Sequence, residues 1–111
     1  MENTIEKTVL PEIEGLSEEQ NAALLEMCDL LSNNAQSDFI LEFFDRLFTR
    51  AELKDFATRW LLVRALDSGM TQREIAQKYH VSLCKITRGS KELKKPGSAF
   101  KKMLEMAKKK S

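Results

Sequence analysis

The chain predicts an all-α fold of six helices, and three observations carry that prediction. Apolar residues recur at intervals of three and four through most of its 111 residues. Capping boxes, a Ser or Thr followed three places on by Glu or Gln, stand at Ser17, Thr49 and Thr71. The stretch from Thr71 to Lys94, TQREIAQKYHVSLCKITRGSKELK, holds two short helical patterns separated by about three residues, which is the signature of a helix-turn-helix.

Residues 1–16 read as a weakly structured arm, because Pro11 and Gly15 interrupt any period and the charges are mostly acidic. One folded domain is expected over 17–111. Its first helix starts at the Ser17 box and runs to about Leu31, with Leu24, Met27, Cys28 and Leu31 on one face. Ser32-Asn33-Asn34 ends it. A second helix spans about Gln36 to Leu47. Phe39, Ile40, Phe43, Phe44 and Leu47 cover more than half of its circumference, more than the core of one small chain can bury.

The third helix, Arg50 to about Asp67, is apolar nearly all round. Leu53, Phe56, Trp60 and Val63 form one face, and Leu61, Leu62, Ala65 and Leu66 form others. Such a helix belongs at the centre of a fold. In so short a chain the natural cover is a second copy, so an interlocked homodimer is expected on grounds of area. Ser68-Gly69 supplies a glycine stop.

In the helix-turn-helix, Ile75, Ala76 and Tyr79 face inward, and the small Ala76 lets two helices cross closely. His80 occupies a turn position that needs φ > 0, which His tolerates better than most side chains. Val81 packs under the turn and Ser82 caps the second helix. On that helix Ile86, Ser90 and Leu93 point one way. Cys84, Thr87, Arg88 and Lys91 point the other, within roughly 100° of arc. Short donors and acceptors beside cations suit base edges and phosphates. Lys94 and Lys95 add charge at its end. Lys95-Pro96-Gly97-Ser98 is a turn, and Ser98 caps a last helix carrying Phe100, Met103 and Leu104. The tail, Lys108-Lys109-Lys110-Ser111, is expected to fray.

Composition narrows the function. The net charge of +1 hides a split: residues 1–69 carry 6 Lys+Arg against 14 Asp+Glu, whereas 70–111 carry 12 against 3. Only the C-terminal part is suited to a polyanion; a solvated charged surface is the plainer reading of such a split. No apolar run approaches the ~20 residues of a membrane span, and the N-terminus has no basic start or apolar core of a secretion signal, so a cytoplasmic protein is expected. Cys28 and Cys84 make no metal or disulfide pattern. His80 and Cys84 lie i, i+4, but no third ligand is nearby, so no metal is expected. Without a phosphate loop or a nucleophile constellation, the chain reads as a non-enzyme. Arg59 taken alone reads as an i, i+4 partner of Asp55, Arg88 as a phosphate contact, and Trp60 as core.

The strings TQREIA and KITRGSKELK, preceded by Leu47-Phe48-Thr49 and Ala57-Thr58-Arg59, resemble the tryptophan repressor family from about Leu47 to Leu104. Of these, ITRGS after a TQRE-type helix is the specific element. The resemblance implies a six-helix, intertwined homodimer that binds double-stranded operator DNA, with L-tryptophan as corepressor. It implies that Arg59 and Arg88 flank the indole, that Arg88 also holds the carboxylate, and that Thr49 and Gly89 lie beside the ligand. Backbone carbonyls near Arg46 and Phe48 of the partner subunit would take its ammonium. DNA-facing positions carry over onto Gln72, Arg73, Leu83, Cys84, Thr87 and Lys94, and Lys91 joins them on the outward face. Arginine faces do stack on aromatic rings, and the guanidinium fork pairs carboxylates. A mid-helix glycine, which costs ~1 kcal/mol against Ala, signals close approach at Gly89.

The sequence departs from the family pattern at three places. Lys85 stands where a threonine lies beside the ligand, Glu92 replaces a small polar residue at the pocket edge, and the step from Arg59 to Gln72 is one residue shorter, as in a sister group of repressor-like proteins. These departures keep open a DNA-binding regulator with a different ligand or none. A helical protein-interaction module is the reading from another class.

Overall fold

The computed structural model describes residues 12–110. Among them are six helices and no strand: α1 Glu18–Asn33, α2 Ser37–Leu47, α3 Arg50–Asp67, α4 Gln72–Tyr79, α5 Leu83–Lys94 and α6 Ala99–Lys110. The chain divides into two compact units, one ending at Phe44 and the other beginning at Asp45.

Each of the three boxes forms a reciprocal cap. Ser17, Thr49 and Thr71 accept a backbone N–H three residues on, and the side chains of Gln20, Glu52 and Glu74 accept the cap residue's own N–H in return. Two orphan donors are satisfied at each helix start, so the sequence fixes where α1, α3 and α4 begin. Met1 to Pro11 of the expected arm lie outside the described residues. Glu12 to Leu16 form a turn, and Asn21 of α1, itself buried, accepts from Ile13 N–H at 3.0 Å.

In the second unit α3, α4, α5 and α6 pack together. Leu62 and Ala65 of α3, Ile75 of α4 and Ile86 of α5 form its core, and Leu66, Met70, Ala76, Tyr79 and Val81 pack against them. Ile75 and Ile86 are fully buried. α3 ends as its glycine foretells. Gly69, at φ 94°, lets its N–H reach Leu66 and the Met70 N–H reach Ala65, closing a Schellman motif. α3 is not covered all round, since Phe56 and Leu61 remain exposed in the single chain.

One detail differs from expectation. α6 runs to Lys110 rather than fraying before it. Lys108 pairs with Asp67 of α3 at 3.1 Å, and the terminal lysines complement the negative end of the helix dipole. As expected of its wide apolar face, α2 fully buries none of its residues; Ile40, Phe43 and Phe44 are partly covered, while Phe39, Leu41 and Leu47 are exposed.

Candidate functional site

The turn between α4 and α5 places everything that follows. His80 adopts φ 54°, ψ 45° and is the only non-glycine residue with positive φ among the described ones. It turns the chain so that the Ser82 hydroxyl accepts from Lys85 N–H at 3.3 Å and starts α5. α5 then presents two faces. Ile86 and Gly89 are buried, whereas Leu83, Cys84, Thr87, Arg88, Lys91 and Lys94 are exposed.

Every position expected to face DNA is exposed. Arg73 shares a shallow concavity with Ala76, Gln77 and Leu83, between the two helices of the motif. Leu83, Cys84, Thr87 and Lys91 border a groove along α5 with Arg88, Glu92 and Lys95. Gln72 is exposed beside the Thr71 cap. Arg73, Arg88, Lys91 and Lys94 make no ion pair among the described residues, so their charge is available to an external anion.

Behind α5 lies a cavity of about 460 Å³, within the range of small-molecule sites. α3 contributes Arg59, Leu62 and Val63; α5 contributes Cys84, Lys85, Arg88, Gly89 and Glu92; α6 contributes Phe100. The floor is therefore apolar and the rim charged. Gly89 is crowded by its own chain. A Cβ there would lie 2.8 Å from Leu62 Cδ2 and 3.6 Å from Leu66 Cδ1. The close approach signalled by this glycine is the crossing of α3 and α5. Thr49 does not line the cavity: it stands at the N-cap of α3, and its hydroxyl accepts from Glu52 N–H at 3.1 Å.

The rim is already ionically engaged. Arg59 Nε donates to Asp55 Oδ2 at 3.0 Å, and Lys85 Nζ donates to Asp55 Oδ1 at 2.9 Å. Lys85, with Arg59 adding to it, holds the Asp55 carboxyl below the ordinary aspartate range. Glu92 is also held low, chiefly by its hydrogen bond from Lys95 and to a lesser extent by the charge of Arg88. Reading the sequence by faces did not find Leu62, Val63 and Phe100 as lining residues. Leu62 and Val63 lie three and four places after Arg59, so helical spacing could have brought them in. Phe100 carries no local signal, because only the packing of α6 delivers it.

Among the described residues no group of three or more His, Cys, Asp or Glu side chains could hold a metal, and no described helix is long and apolar enough to cross a membrane.

These features define an all-α protein built around a helix-turn-helix, with a small cavity behind the motif's second helix. The sequence matches the family described as Trp repressor protein over residues 22–108. It is 42% identical over 84 residues to a Trp operon repressor homolog of Chlamydia trachomatis serovar L2 (strain 434/Bu), a match covering 75% of this chain and 86% of the relative. A Trp operon repressor homolog of Chlamydia caviae is 42% identical over 82 residues, covering 73% and 78%. The chain thus belongs to the Trp repressor family, a family of repressors rather than enzymes.

Proposed function

We propose that this protein is a homodimeric transcriptional repressor that acts in the cytoplasm, binds double-stranded operator DNA and takes L-tryptophan as corepressor. One observation carries the reading: Cys84, Arg88 and Glu92 of α5 border both the inner cavity and the outer groove. A ligand that fills the cavity therefore bears on the helix whose other face would meet DNA, and binding at one face biases the pose of the other.

In this reading the indole lies between the guanidinium faces of Arg59 and Arg88, over the floor of Leu62, Val63 and Gly89, and Arg88 takes the carboxylate. Backbone carbonyls near Arg46 and Phe48 of the partner subunit accept the ammonium, and Thr49 lies near the ligand. Gln72 and Arg73 meet the DNA backbone, while Leu83, Cys84, Thr87, Lys91 and Lys94 lie along the groove. With few long polar side chains on α5, part of the base readout passes through water. Dimerisation is supported by the large apolar side chains that remain exposed in one chain, including Phe39, Leu41, Leu47 and Leu61.

Calorimetric titration with L-tryptophan tests the corepressor. Saturable binding well below millimolar is expected; a folded dimer that binds no tighter than millimolar would remove the corepressor and leave DNA binding standing. A second reading, a regulator with a different ligand or none, draws on the fact that Asp55 already occupies two of the cavity's cations.

A further inference from the structure

The three cations around the cavity are not equally available. Asp55 lies one turn before Arg59 on α3 and does not line the cavity, yet its two oxygens hold Arg59 and Lys85, which do. Lys85 belongs to α5, so its 2.9 Å contact ties together the two helices that wall the cavity. Arg88 has no such partner among the described residues, and the nearby Glu92 is engaged by Lys95 at 2.9 Å.

We propose that Asp55 is an internal competitor for the carboxylate of the ligand, and that Lys85 is the cation passed from one carboxylate to the other. The pair then sets how tightly the cavity holds an aromatic amino acid. This rests on the tryptophan reading and goes beyond it by assigning roles to two residues that are not among the expected ligand contacts.

The exchange is physically easy. The side chains of Lys85 and Asp55 are 48% and 41% exposed, so solvent screens the pair and breaking it costs little. Lys85 is paired before and after. Its ammonium is a compact point charge on a flexible stem, so it can change partners without the fixed planar geometry that a guanidinium fork requires. Arg59 stays on Asp55 through Nε, which fixes the plane it offers to a ring. Once Lys85 turns to the ligand, the direct tie between α3 and α5 becomes a tie through the ligand. The pose of α5 then depends on occupancy.

Calorimetric titration of the wild-type protein, Asp55→Asn and Lys85→Gln with L-tryptophan and with tryptamine, which has the ring and ammonium but no carboxylate, tests this. Asp55→Asn is expected to tighten L-tryptophan about fivefold and Lys85→Gln to weaken it by a similar factor, the upper range for a screened ion pair. Tryptamine should follow neither change. Both side chains lie at the surface, and circular dichroism checks that each variant folds; if one does not, the other carries the test. An unchanged or weakened L-tryptophan affinity in Asp55→Asn, an unchanged one in Lys85→Gln, or tryptamine moving in step, overturns the proposal while the tryptophan reading stands. No binding of either compound by any of the three proteins overturns both.

Discussion

His80 and Gly89 are two residues whose surroundings constrain identity, one through its backbone angle and the other through a neighbouring side chain. His80 holds the turn of the motif at φ 54°, where an L side chain is disfavoured by roughly 1–2 kcal/mol. Its side chain is exposed and accepts or donates no hydrogen bond among the described residues. His80→Gly should therefore raise stability, by about 0.5 kcal/mol once the extra freedom of the unfolded glycine is set against it, as read by urea denaturation. Gly89 is the opposite case. Alanine would gain about 1 kcal/mol of helix propensity, while its Cβ would meet Leu62 at 2.8 Å, at the Cδ2 end of a side chain that borders the cavity and can shift toward it. The two effects oppose each other, and Gly89→Ala should change stability by less than about 1 kcal/mol in the same measurement. The turn requirement at His80 was legible because a helix-turn-helix needs positive φ there. At Gly89 the sequence signalled crowding but not its source. That source is a side chain from a helix distant in sequence, and nothing local encodes it.

At the scale of elements, helix starts were legible at their capping boxes, as was the end of α3 at its glycine stop, whereas the end of α6 was not. A capping box is a local constellation, so Ser17, Thr49 and Thr71 marked three starts that the structure reproduces. Near the end of α6, Lys108 pairs with Asp67 of α3, which spacing does not reveal. The link between α3 and α5 is of the same long-range kind: Arg59 with Asp55 was visible as an i, i+4 pair, whereas Lys85 with Asp55 was not. It gives the fold a pH dependence whose sign follows from the lowered Asp55 pKa. A carboxyl titrating lower in the folded than in the unfolded chain contributes stability above the unfolded pKa. That contribution is lost as pH falls through the folded value. Below about pH 4, thermal melts of the wild-type protein should lose stability faster than those of Asp55→Asn.

The whole molecule joins a charge asymmetry to an exposed apolar surface. The basic C-terminal part contains the motif, and Arg73, Lys91 and Lys94 stand on its outer side without internal partners among the described residues. Contacts between such cations and phosphates release counterions, so binding to duplex DNA should weaken steeply as salt rises. Arg73→Ala should reduce the salt slope by about one if that residue meets a phosphate, as read by fluorescence anisotropy across a salt series; an unchanged slope would take Arg73 out of the interface. The charge split and the apolar excess of α2 and α3 were legible from composition and period alone. That a second copy covers the excess is an expectation from area, because a partner leaves no period in the sequence of one chain. The most direct test of the central claim is to select duplexes from a random DNA pool with the purified protein, with and without L-tryptophan. The account predicts enrichment of a site with two related half-sites only when L-tryptophan is present. Enrichment that ignores L-tryptophan, or no enrichment at all, would contradict it.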